Sequence, residues 1–151
     1  MNLWNTGYLA GALIAGMLIP IQTGYNTQLG RALNGPVYST MAVFAAAIAT
    51  TVIIALLMRT PLPAVADAAR APALSWVAGG ALGAIYIVAL TIVAPKLGAA
   101  ATVALVVSGQ MICSAIIDHF GLLGFPVHEV SALRMLGFVL MAGGVVLVRL
   151  F

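Results

Sequence analysis

The chain has 151 residues, of which 64% are hydrophobic and 6% charged. A soluble domain carries roughly 25% charged residues, so this composition excludes one and identifies an integral membrane protein. The net charge of +3 comes from six basic residues scattered singly, which is not the clustered pattern that binds nucleic acid.

A membrane-spanning helix needs about 20 mostly apolar residues. Five runs of this kind occur, at about 5–30, 37–58, 74–94, 97–117 and 132–150. Helix is the only sensible state for them, because lipid offers a backbone no other hydrogen-bond partner. The expected fold class is therefore an all-α integral membrane protein forming a single transmembrane domain over residues 1–151. The opening "MNLWNTGYLAG" lacks the basic region of a secretory signal, so the first run is expected to remain as a span.

That first run is interrupted by "PIQTGYN", residues 20–26. Pro20 removes a helix hydrogen bond and frees the carbonyl of Gly16. Gln22 and Asn26 are four apart and so share a helix face, with Tyr25 beside them. A polar pocket would satisfy the carbonyl and both amides together. The bland alternative is that the amides hold helices together, worth about 0.6 kcal/mol each.

The second run follows the turn "NGP" (34–36) and ends at Arg59; it carries a stripe of Ala42, Ala46 and Thr50. Glycines four apart in "GYLAG" (7–11) and "GGALG" (79–83) mark further close contacts, expected within one chain. The linker "PLPAVADAARAP" (61–72) has room for a turn or two of interfacial helix, with Pro63 suited to a first helical position. The third run ends before Pro95 and contains Tyr86. "PKLG" (95–98) predicts a tight reversal into the fourth run, which contains Ser108, Gln110 and Cys113. Gln110 is a further pocket candidate. Tyr86 and Ser108 read more readily as helix packing, and so does Cys113. "DHFGLLGFPVHEVS" (118–131) predicts an interfacial turn, with Ser131 as the N-cap of the fifth run. In that run Gly137 and Gly144 share a face suited to a dimer contact.

The chemistry has telling gaps. Asp67, Asp118 and Glu129 all fall at or outside the expected span ends, so no carboxylate sits mid-span as a proton relay. Asp118-His119 comes nearest and reads as an interfacial helix end. No metal-ligand spacing is present, and no nucleophile stands beside a base, so neither a metal, a cofactor nor an enzyme is expected.

With five spans the termini lie on opposite sides. Arg59, Arg70 and Arg134 then fall on the side of the N-terminus, and Arg31, Lys96 and Arg149 on the other, a tie of three against three. Positive charge in short loops sets orientation, and a tie predicts insertion both ways up. Two oppositely inserted copies would pair about a two-fold axis in the membrane plane, giving ten helices in an inverted-repeat architecture.

At this point the residues resemble a known family. "PIQTGYNTQLGRALNGPVYSTMAVF" (20–44) and "GGALGAIYIVALTIVAPKLGAAATVALVVSGQMICSAIIDHFGLLG" (79–124) are similar to the YdcZ-like half-size branch of the drug/metabolite transporter superfamily. In the fifth run, "GFVLMAGGV" is similar to the dimer-contact pattern of small multidrug resistance proteins, with Phe138 and Met141 departing from it. The resemblance implies a five-helix protomer of the inner membrane, acting as an antiparallel homodimer or with a paired homologue. The central glutamate of the small multidrug resistance pattern has no counterpart here, so proton-for-cation exchange is not implied. The leading expectation is a transporter of a small organic solute by alternating access, with Gln22, Asn26 and Gln110 in its pocket. A dual-topology passive channel and a non-transporting membrane scaffold are the alternatives.

Overall fold

A computed structural model describes the backbone of residues 3–150 and the side chains of residues 6–148 and 150. The charge of Arg149, counted above, lies outside the described side chains. The described residues are helical with no strand: α1 (Leu3–Ala32), α2 (Pro36–Leu57), α3 (Val65–Arg70), α4 (Ala73–Leu97), α5 (Ala99–Phe120), a 3₁₀ turn (Leu122–Gly124) and α6 (Ala132–Leu150). Four of these, α1, α2, α4 and α5, are long and apolar enough to cross a membrane. In α6 the apolar stretch is shorter, Ala132–Val148. The chain divides at Lys96/Leu97 into two compact units.

In the first unit, α1 runs unbroken through Pro20. Its end is a Schellman turn. Asn34 takes the left-handed conformation at φ 55°, and the Gly35 N–H donates back to the Gly30 carbonyl at 2.9 Å. Asparagine tolerates that conformation better than most residues. Pro36 then occupies the first position of α2, where its missing N–H costs nothing. Leu33, Asn34 and Gly35 are thus the whole connection that folds α2 back against α1.

α2 ends in the same way. Arg59 is left-handed at φ 50°, and the Thr60 N–H donates to the Ala55 carbonyl at 2.9 Å. The linker does hold a short helix, α3, but it starts at Val65 behind Ala64, so Pro63 lies outside it. Asp67 and Arg70 pair across one turn at 3.7 Å, well exposed.

α4 continues through Pro95 and Lys96 to Leu97, beyond position 94, where the sequence reading stops. Proline in a last turn forfeits one backbone bond, to the carbonyl of Thr91, without ending the helix. The break falls instead at Gly98, with φ 82°, a conformation that glycine adopts freely.

In the second unit, α5 extends through Asp118 and His119 to Phe120, and Gly121 caps it at φ 60°. A Cβ on Gly121 would meet Val127 Cγ2 at 2.7 Å, so the cap position is closed to larger residues in two ways. The loop doubles back onto the helix end, and the His128 N–H donates to the Asp118 carbonyl at 2.9 Å. Ser131 caps α6 as expected: its hydroxyl accepts from the Arg134 N–H at 3.3 Å. α5 packs against α6.

Candidate functional site

Burial along α1 is uneven. From Thr6 to Leu18 every described side chain is exposed. From Ile19 onward the helix has an inner face of Ile19, Pro20, Thr23, Asn26, Thr27 and Gly30, at helical spacing. Pro20 stands where this face begins.

Thr23, Asn26 and Thr27 are the polar members of that face, and the residues buried on α2 and α4 are polar too. Among the described residues of the first unit, the buried ones are Asn26, Gly30, Ser39, Thr40 and Thr91. None carries a large apolar side chain. Gly30 makes the closest approach: a Cβ there would lie 2.8 Å from Thr91 Cγ2 and 3.4 Å from Ser39 Oγ. The absent side chain is what lets α1 meet both α2 and α4 at this level.

The hydroxyls at this level satisfy themselves. Ser39 and Thr40 donate to the Pro36 carbonyl at 3.0 and 2.7 Å. Thr91 donates to the Ile87 carbonyl at 2.9 Å, and Thr23 to the Ile19 carbonyl at 2.8 Å. Bonds of this kind tie a hydroxyl to its own helix and spend its donor. Thr27 is different. Its Oγ1 is buried and has no hydrogen-bond partner among the described residues. Asn26, one position earlier, is buried and brings an amide with two donors and an acceptor oxygen. Thr27 therefore has spare hydrogen-bonding capacity on the inner face, beside the Asn26 amide.

The other sequence candidates fall elsewhere. Gln22 is exposed, one turn from Asn26 and at the edge of the inner face rather than within it. Tyr25 is 68% exposed on another side of α1. Tyr86, on α4, is more sheltered at 37% exposure. Ser108 and Gln110 belong to the second unit. Ser108 donates to the Ala104 carbonyl at 2.9 Å, so its hydroxyl is spent like those above, while Gln110 is exposed.

Among the stripes expected to pack within the chain, Gly83 alone has a close neighbour, with Phe44 Cζ 3.5 Å from its would-be Cβ. Gly7, Gly11 and Gly79 meet nothing within 4 Å, and Ala42, Ala46 and Thr50 are exposed. That expectation is corrected: small residues permit close approach but do not say which partner makes it. Gly137 and Gly144 likewise have open space where a Cβ would stand.

Sequence reasoning overlooked Gly30, Ser39, Thr40 and Thr91. One signal was available. Gly30 follows Asn26 by four residues and shares its stripe, which marks where a neighbouring backbone comes close.

Among the described residues, no group of three or more His, Cys, Asp or Glu is placed to hold a metal ion. The site offers neutral hydrogen-bond donors and acceptors in an otherwise apolar chain.

No curated protein and no solved structure matches this chain. Residues 7–147 match the family described as "Putative inner membrane exporter, YdcZ". With that family's placement and several membrane-length apolar helices, the protein is a multi-pass protein of the inner membrane. The match spans nearly all of the sequence, so the chain belongs to this YdcZ family of the inner membrane.

Proposed function

We propose that the chain is one half of an exporter for a small organic solute. The observation that carries this reading is the buried Thr27 hydroxyl, which has no hydrogen-bond partner among the described residues, next to the buried amide of Asn26 on the inner face of a membrane helix. Burying an amide or hydroxyl without a hydrogen bond is costly, and a passing solute is the natural partner. Neutral amides suit an uncharged or zwitterionic solute. A bare cation would call for a carboxylate, and the acidic residues here lie near helix ends or in linkers.

In this reading all five long helices span the bilayer. Two copies insert in opposite directions and pair as an antiparallel homodimer. Gln22, Asn26 and Gln110 line the solute path, with Tyr25, Tyr86 and Ser108 along it. The solute is moved by alternating access, the two halves exchanging roles about the two-fold axis. Support comes from the uncovered N-terminal half of α1 and from the open space at Gly137 and Gly144, where a second copy can pack.

The test is release from proteoliposomes loaded with a panel of sugars, polyols and amino acids, followed by mass spectrometry of the medium. Wild-type protein is expected to release some of these in a saturable way, and Asn26→Leu to abolish that release. Release that Asn26→Leu leaves unchanged contradicts the site. Release that never saturates and shows no counterflow contradicts alternating access and describes a channel.

A further inference from the structure

The second unit carries an ion pair at the end of its helices. Asp118 lies in the last turn of α5, and Arg134 in the first turn of α6. Asp118 Oδ2 and Arg134 Nη1 are 3.7 Å apart, with both side chains partly exposed. A pair this long and this accessible is held weakly. Arg134 Nη1 also donates to the His128 carbonyl at 3.3 Å. Among the described residues the polar contacts of this guanidinium run through Nη1, so Nη2 and Nε remain as donors for an anion.

A groove of about 290 Å³ leads away from the pair. Asp118 and Arg134 line one end, and Ser114, Met111, Gly137 and Phe138 line the rest. From Asp118 to Met111 it follows about 10 Å of α5. A second groove, of about 350 Å³, is lined almost wholly by apolar groups, among them Ile112, Ile116, Phe120 and Met135. Ala115 and Phe138 border both grooves. Helical periodicity puts Met111, Ser114 and Asp118 on one side of Ala115, and Ile112, Ile116 and Phe120 on the other. Two tracks therefore run beside a single charged mouth.

We propose that this surface seats one membrane phospholipid with an ethanolamine headgroup. Its phosphate lies on Arg134, its ammonium on Asp118, and its two acyl chains along the two grooves. Charge complementarity selects the headgroup, since the mouth presents one positive and one negative group side by side. Depth agrees, because the pair stands at the helix ends, where headgroups lie. The ammonium needs its hydrogens: a carboxylate accepts charge-assisted N–H bonds from ethanolamine, while the trimethylated nitrogen of choline has none to give. The apolar tracks select a lipid over a free zwitterion. The site is built on α5 and α6, and its rim shares Gly137 with the proposed α6 dimer contact.

The experiment is native mass spectrometry of the full-length protein in detergent. It is titrated with dioleoyl phosphatidylethanolamine, the matching phosphatidylcholine and phosphatidylglycerol, and soluble phosphoethanolamine. Losing one charge-assisted hydrogen bond lowers affinity about tenfold. Phosphatidylethanolamine should therefore bind about tenfold tighter than either other lipid, and phosphoethanolamine far more weakly. Arg134→Gln should weaken phosphatidylethanolamine about tenfold, and Asp118→Asn should erase its advantage over phosphatidylglycerol. Because both residues also brace the loop, Ser114→Phe is the control. It fills the groove from an exposed position on α5 and leaves the ion pair intact, so the lipid should be lost. The same spectra report dimer mass, so lipid loss and dimer loss are read separately. Equal retention of the three lipids, preference for phosphatidylglycerol, phosphoethanolamine binding as tightly as the lipid, or full binding to Ser114→Phe would each overturn the proposal.

Discussion

Gly30 has no side chain because Thr91 leaves no room for one. The Thr91 hydroxyl is bonded to the Ile87 carbonyl, which fixes its rotamer and points its methyl at α1. Gly30→Ala should therefore lose about 1–3 kcal/mol to overpacking, against roughly 1 kcal/mol gained in helix propensity. Adding Thr91→Ser removes the methyl and keeps the hydroxyl, so the double variant should be at least as stable as wild type. Thermal unfolding in detergent checks this, and a double variant no better than Gly30→Ala would refute the contact. Asn26→Leu should behave differently. Its stability should change by about 1 kcal/mol or less, while solute release is lost; Gln22→Leu, at the edge of the face, should cost less release. The sequence singled out Asn26 because an amide in an apolar run is conspicuous. It did not single out Ser39 or Thr91, because hydroxyls that bond their own helix are unremarkable in membrane spans. Nor did it separate Gln22 from Asn26. A spacing of four places residues about 40° apart on a helix, enough for a neighbour to cover one and miss the other.

The helices themselves were legible as elements, since runs of apolar residues between charges leave the backbone no alternative to helix. Their ends were less so. Pro95 looks like a stop but sits inside the last turn of α4, and Asp118 looks like a stop but continues α5 by two residues. Charge and proline weaken a terminal turn without forbidding it, while a left-handed residue ends a helix outright. Gly121 illustrates the point. Gly121→Ala imposes about 1–2 kcal/mol for the left-handed conformation and a clash with Val127 besides. It should lower the melting temperature and loosen the 121–131 loop, seen as faster backbone hydrogen exchange at His128. Exchange at His128 equal to wild type would show that the cap is not what holds the loop. α1 raises a separate matter. From Thr6 to Leu18 it is exposed on every side, and periodicity could not have revealed this, because lipid-facing and partner-facing surfaces have the same apolar composition.

Few apolar side chains are buried: Ala101 is the buried hydrophobic residue among those described. In the proposed dimer a second copy would cover more of the chain, and the tie in basic charges would supply that copy in the opposite orientation. Insertion should then be nearly unbiased and easily tipped, so two or three lysines added at one terminus should fix the orientation of most chains. The most direct test of a dual-topology half-exporter is the orientation of the wild-type sequence in its own membrane. Cys113 is first replaced by alanine, a single cysteine is placed in the 61–64 linker, and intact cells are labelled with a membrane-impermeant thiol reagent before and after permeabilisation. The account predicts that about half of the chains label from outside, the remainder becoming reactive only on permeabilisation. Labelling of all chains from one side alone would contradict it.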